Sequence, residues 1–202
     1  MHIALVSGSH RKASQSQRIA EYLAARIGKL NTTTTTDIIS LSENPLPLWD
    51  ESMWQGESAL KKVWEPYKSR LEKADGLVII SPEWSGMVPA GLKNFFLYAS
   101  AREIGHKPAM ITAVSSGLGG SYPVDELRIS SYKNSRLCYI PDQLIVRNAE
   151  SIFVGDSPAS KDDEYLRERA DYTLKILFAY GEALKSVRSS GVTFDKRFLF
   201  GM

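Results

Sequence analysis

A chain of 202 residues that is 43% apolar and 24% charged is long enough for one α/β domain with a sizeable core, and too apolar for a disordered or fibrous protein. Lys and Arg number 25 against 23 Asp and Glu, a net +2 with neither sign dominating either half, so nucleic acid is not an expected partner. The lone Cys138 excludes an internal disulfide and points to a reducing, cytoplasmic compartment; the opening apolar run is too short for a secretory signal, and none approaches the roughly 20 residues of a membrane span, so no membrane partner is expected.

In chain order, residues 2–7 (HIALVS) predict a first strand, GSHRKASQS a polar loop, and RIAEYLAARIGKL a helix with Ile19, Leu23, Ile27 and Leu30 at helical spacing. TTTTTDIISL reads as a second strand, ALKKVWEPYKSRLEKA as a helix interrupted by Pro66, and GLVIIS (76–81) as a third strand apolar on both faces, which belongs inside a helix-covered sheet. The turn-rich SPEWSGMVPAG, a helix LKNFFLYASARE, a fourth strand KPAMITAVSS and the loop GLGGS follow. A weaker helix VDELRISSYKNSRL, with Cys138 as a packed thiol near its end, leads to a fifth strand DQLIVRNA and a long helix from about Asp162 to Ser186.

Alternating strands and helices predict an all-parallel sheet with right-handed crossovers, an α/β three-layer sandwich. The threonine run at 32–36 suits a solvated edge strand, and with strand two polar while strands one, three and four are apolar, the order 2-1-3-4-5 fits best. No boundary divides residues 1–187. The segment 188–202, with Phe194, Phe198 and Phe200 beside Lys196 and Arg197, is too apolar to float freely and either packs on its own domain or reaches a second subunit.

In such a sheet ligands bind beyond the carboxyl ends of the strands at the switch point, here between strands one and three. The three most unusual loops follow strands one, three and four and would converge there. The first carries Ser9, Arg11, Ser14 and Ser16 before a helix, which suits a phosphate, although Ser14 or Ser16 as a plain helix cap accounts for the same residues. The second places Trp84 and Gly86 between Pro82 and Pro89, which suits a planar heteroaromatic ring or else a tight connection with Trp84 in the core. The third has Gly117, Gly119 and Gly120, free to turn beneath a ligand or simply flexible.

Competing chemistries fail on spacing. No GxxxxGK[ST] occurs, and GLGGSY is neither GxGxxG nor placed after the first strand. The segment AVSSG at 113–117 imitates a nucleophile elbow, but a hydrolase of that kind needs Asp and then His downstream, and His2, His10 and His106 all lie upstream. Those histidines also lack metal-ligand spacing.

The chain resembles the NAD(P)H-dependent FMN reductases of flavodoxin-like fold, a family that includes quinone, chromate and azo-dye reductases. GSHRKASQS is similar to their GSxRxxSxN loop, LPLWDE (46–51) to LPLYDED, PEWSGMVPAGLKN (82–94) to PEYNxSxPxxLKN, and GLGG with ELR (117–128) to GxxGGxRAxxxLR, all in order over about residues 1–150. It departs at Ser16 and Ser85 where Asn is usual, Met87 for Ser, Leu97 and Tyr98 for Asp-Trp, and Tyr122 for Arg. The resemblance implies FMN phosphate contacts from Ser9, Arg11, Ser14, Gln15 and Ser16, ring contacts from Pro82, Glu83, Trp84, Ser85 and Gly86, and third-loop contacts from Ser115, Ser116, Gly117 and Gly120. Glu83 is expected to act through its backbone or a structural hydrogen bond rather than as a base.

It also implies NADPH or NADH as electron donor, a small-molecule acceptor such as a quinone or flavin, no catalytic side chain beyond FMN, and a homodimer or homotetramer. The competing class is a non-enzymatic flavin carrier or redox sensor. Carriers are often strongly acidic, and the near-neutral charge of this chain favours the enzyme.

Overall fold

The computed structural model describes residues 1–201. Five parallel strands, β1 (His2–Ser7), β2 (Thr35–Ser40), β3 (Gly76–Pro82), β4 (Pro108–Val114) and β5 (Cys138–Val146), form one sheet in the order β2-β1-β3-β4-β5. The helices are α1 (Gln15–Leu30), α2 (Ala59–Lys73), α3 (Ala90–Tyr98), the single turn α4 (Ala101–Ile104), α5 (Ser121–Ser130) and α6 (Lys161–Ser189). This is the expected flavodoxin-like sandwich. Every residue of β3 and β4 is buried, whereas β2 opens with exposed Thr35, as an edge strand should.

Strand alternation divides the core into two layers. Ile3 and Leu5 of β1 point to the side packed by Ile19, Leu23 and Ile27 of α1 and Leu174 and Leu177 of α6. Ala4 and Val6 point to the other side, with Leu71 of α2, Phe95 of α3 and Leu127 of α5. Both layers seal the sheet, so polar ligand chemistry is left to the loops at its carboxyl edge.

Four elements differ from expectation. Pro66 does not interrupt α2: it lies inside the helix on its exposed face. The helix expected across LKNFFLYASARE breaks at Ser100, whose side chain and backbone form a capping box with Glu103 and start α4. Helix α5 begins at Ser121, just after Gly120, and ends at Ser130. Cys138 is therefore not on a helical segment but opens β5, which is longer than expected because it accommodates exposed Pro141 at a register irregularity opposite Ala109 and Ile111. The Cys138 thiol is half-buried, and burial pushes its pKa up, with Arg188 opposing.

The C-terminal segment lies along the loop between α5 and β5. Arg136 Nη1 donates to the Thr193 carbonyl at 3.0 Å and Nη2 to the Phe198 carbonyl, while the Gly201 amide donates to Asn134 Oδ1 at 3.3 Å. Phe194, Phe198 and Phe200 remain exposed. Among the described residues no helix is long and apolar enough to cross a membrane.

Candidate functional site

The loops after β1, β3 and β4 converge as expected. With the segment after β5 they enclose a cleft of about 410 Å³ lined by Ser9, Arg11, Ala13, Ser14, Gln15, Ser16, Arg18, Pro82, Glu83, Trp84, Val114, Ser116 and Glu150. Its size and mixed polarity are those of a small-molecule site.

At one end stands the N-terminus of α1. Ser14 is its N-cap, with Oγ accepting from the Gln17 amide at 3.4 Å, so the capping role and a place in the cleft coincide in one residue. The first-turn amides of Gln15 and Ser16 have no intrahelical acceptor, and no acidic residue sits in that turn. The Ser16 side chain is buried with an Oγ that has no hydrogen-bond partner, an unusual cost unless a ligand supplies one. Ser9 is buried, and its Oγ accepts from the Arg11 amide at 3.3 Å. The Arg11 side chain is exposed and makes no ion pair among the described residues. Free amides at a positive helix end, an orphaned hydroxyl and a free guanidinium fit the phosphate of FMN.

Arg18 lines the same end but is otherwise engaged. Its Nε donates to Gln15 Oε1 at 2.7 Å, Nη1 to the Phe153 carbonyl at 3.1 Å, and Nη2 to the Ala149 carbonyl. Burial lowers its pKa, against the pull of Asp163 and Glu21. Arg18 thus ties α1 to the segment after β5.

At the other end the chain from Trp84 to Met87 makes a tight hairpin. Each of these two residues donates its amide to the other's carbonyl at 3.0 Å, and the central Ser85 (φ 51°) and Gly86 (φ 72°) are both left-handed. The Trp84 indole is half-buried and meets the His10 ring edge-on at 4.5 Å, so it stands at the cleft wall rather than in the core. Behind the hairpin, Glu126 of α5 accepts from the Val88 amide at 2.6 Å and pairs with Lys93 of α3. Burial raises the Glu126 carboxyl, but those two partners outweigh it and hold its pKa below the usual range.

Glu83 has the structural hydrogen bond expected of it. Its Oε2 accepts from the Gly120 amide at 2.5 Å, placing a carboxylate at the N-terminus of α5, where the helix dipole favours it. The third loop is further fixed by Arg147, whose Nε donates to the carbonyls of Leu118 at 2.7 Å and Gly119 at 3.1 Å. Ser115 and Gly117 are tied to the same following segment: the Ala149 amide donates to the Ser115 carbonyl at 3.0 Å and that of Asn148 to the Gly117 carbonyl at 2.9 Å.

Of the candidate residues, Ser9, Arg11, Ser14, Gln15, Ser16, Pro82, Glu83, Trp84 and Ser116 line the cleft together. Ser85, Gly86, Ser115, Gly117 and Gly120 do not; they shape the loops whose neighbours do. The sequence reading missed Ala13, Arg18, Val114 and Glu150. Arg18 lies four residues after the cap and so on its face of α1, and Glu150 follows a strand that ends at the same sheet edge; both signals are geometric rather than chemical.

A family model described as NADPH-dependent FMN reductase matches residues 1–151. An NADPH azoreductase of Bacillus sp. (strain OY1-2) is 27% identical over 193 residues, covering 93% of this chain and 97% of that protein. A quinone reductase of Escherichia coli (strain K12) is 28% identical over 152 residues, covering 71% of this chain and 76% of that one. The solved structure of FerB, a flavoenzyme NAD(P)H:(acceptor) oxidoreductase from Paracoccus denitrificans, shares the fold with a TM-score of 0.66 at 19% identity, over 92% of this chain and 97% of that chain. With three quarters of its length matched by the family model, the chain belongs to the NADPH-dependent FMN reductase family.

Proposed function

We propose that this enzyme holds FMN with its phosphate on the α1 end of the cleft and its ring toward the Trp84 hairpin, and that it reduces a quinone, a flavin or a similar small acceptor at the expense of NAD(P)H. The observation that carries the placement is the buried, unpartnered Ser16 Oγ beside the free first-turn amides and Arg11. The chemistry FMN supplies when bound is acceptance of a hydride from NAD(P)H and its donation to the second substrate. The protein supplies position. The α1 amides, Ser16 and Arg11 hold a phosphate, Pro82 and Trp84 wall the ring, and Glu83 fixes the third loop instead of moving a proton.

Nicotinamide and acceptor would need the same cleft, so the first would have to leave before the second enters. Parallel double-reciprocal lines with a quinone are the expected kinetic pattern. The decisive experiment mixes FMN-loaded protein anaerobically with excess NADPH and, separately, NADH. Bleaching of the flavin absorbance, reversed by quinone, is expected; protein that stays oxidised with both donors overturns the reductase reading in favour of a carrier or sensor. The placement of Trp84 has its own check. FMN should quench tryptophan fluorescence less in Trp84→Phe than in the parent, and undiminished quenching would remove Trp84 from the ring site.

A further inference from the structure

The charges lining the cleft are two of each sign: Arg11 and Arg18, Glu83 and Glu150. Two of the four are already satisfied by the protein. Arg18 is spread over Gln15 Oε1 and the carbonyls of Phe153 and Ala149, and Glu83 holds the Gly120 amide. Arg11 and Glu150 remain, neither having an ion-pair partner among the described residues.

The position of Glu150 is built, not incidental. It is the middle residue of the single 3-10 turn Ala149–Ser151, which follows Asn148 in a left-handed conformation (φ 47°). On one side the Ala149 amide is fixed to Ser115 and its carbonyl to Arg18; on the other, the Ser151 amide and hydroxyl both donate to the Asn148 carbonyl, at 2.9 and 3.0 Å. Backbone pinned on both sides fixes where residue 150 stands on the cleft wall, and its exposed side chain makes no ion pair among the described residues. A carboxylate can only accept hydrogen bonds, and so can a phosphate dianion, so the two have nothing to offer each other but repulsion.

We infer that Glu150 is a specificity-determining residue that weakens the hold of this cleft on the phosphate of FMN, bringing the affinities for FMN and for the uncharged riboflavin closer together and keeping the flavin exchangeable. The inference rests on the FMN placement proposed above. Phosphate binding then depends on the α1 amides and Ser16, which are always present, with the Arg11 contribution partly cancelled across the cleft.

The test measures dissociation constants of FMN and riboflavin by flavin-fluorescence titration of the purified full chain at low salt, for the parent, Glu150→Gln and Glu150→Asp. Removing the charge should tighten FMN by about three- to tenfold and leave riboflavin within about twofold. Glu150→Asp, which keeps the charge, should retain the parental FMN-to-riboflavin ratio, and about 0.5 M salt should shrink the gain from Glu150→Gln. A Glu150→Gln protein with an unchanged ratio overturns the inference, as does one in which both flavins weaken together, the mark of a carboxylate that accepts from the ribityl hydroxyls they share. The placement itself fails separately: if Arg11→Ala leaves FMN binding intact at low salt, the phosphate is not at this end of the cleft, and the role of Glu150 falls with it.

Discussion

The amides that open one end of the cleft owe their direction to the 16-residue helix α1, whose other face is buried against β1 and β3. The hairpin at the other end is held by two backbone hydrogen bonds and by two central residues in left-handed conformation. The first surface presents backbone groups whose placement survives most side-chain changes. The second depends on a few residues that must tolerate positive φ, and on the third loop, where Gly120 (φ 108°) meets the Glu83 carboxylate. Substitutions should therefore act mainly on ligand affinity at the α1 end and mainly on folding at the hairpin end.

Gly120→Ala should give the largest effect. A Cβ there would lie 2.5 Å from Ile145 Cγ2, on a backbone conformation that L residues rarely adopt. Strain and overpacking together should destabilise the protein by about 2–4 kcal/mol, read from the denaturant midpoint. Gly117→Ala, in the same loop but with nothing within 4 Å of its Cβ, should change stability by less than about 0.5 kcal/mol. Equal effects from the two would show that the close contact and left-handed φ at Gly120 do not set its cost.

Arg11→Ala should do the reverse. The side chain is exposed and unpaired, so the midpoint should not move. FMN binding should weaken by about 1.5–3 kcal/mol, the range for hydrogen bonds to a charged group. A shift in stability without a shift in affinity would show that the α1 end is held together as the hairpin end is.

This contrast also explains what the sequence made legible. The strand order followed from the polarity of the threonine run against the apolar β3 and β4, and the loops followed from the order, because both are consequences of burial. Ser14 and Ser16 were visible as residues that suit helix starts. What stayed hidden depended on tertiary contacts. Arg18 looks like an ordinary surface residue of α1 until the segment after β5 supplies its carbonyl partners, and Glu150 has no chemical signature until that segment closes the cleft. The start of β5 was obscured by Pro141, which an edge strand with a bulge accepts and a regular strand does not. The Ser100-x-x-Glu103 capping box, by contrast, was present in the sequence and lay inside a helical pattern strong enough to mask it.

Acid should loosen the segment after β5 that closes the α1 end. Asp163, fully buried at the start of α6, accepts from the amides of Phe153 at 2.8 Å and Ala159 at 3.0 Å and pairs with Arg167. Burial alone would raise its pKa, but these donors outweigh it and hold the carboxyl below the usual range. A folded-state pKa below the unfolded value contributes stability that is present above the unfolded value and lost as pH falls through the folded one. Asp163 anchors the segment whose Phe153 carbonyl receives Arg18, so hydrogen exchange on lowering pH below about 4 should rise around residues 149–159. In Asp163→Asn that acid dependence should flatten, with a cost of about 1–3 kcal/mol at neutral pH for the lost charge-assisted bonds. Opening of residues 84–87 at the same pH in the parent and in Asp163→Asn would trace the hairpin end to Glu126 instead.

The smallest effect is expected at Ser85, where the family pattern has Asn. A left-handed φ is uncommon for Ser and common for Asn, whose side chain suits the first central position of such a hairpin turn. Ser85→Asn should therefore stabilise the protein by about 0.5 kcal/mol by lowering the native-state cost of the left-handed φ. The Ser85 side chain is exposed and outside the cleft lining, while its neighbour Trp84 is within it. A hairpin that acts on the flavin through its backbone and Trp84 should then bind FMN equally well, within about twofold, in both forms. If Ser85→Asn instead tightens FMN tenfold, residue 85 reaches the ligand with its side chain, and the hairpin end reads its ligand as chemically as the α1 end does.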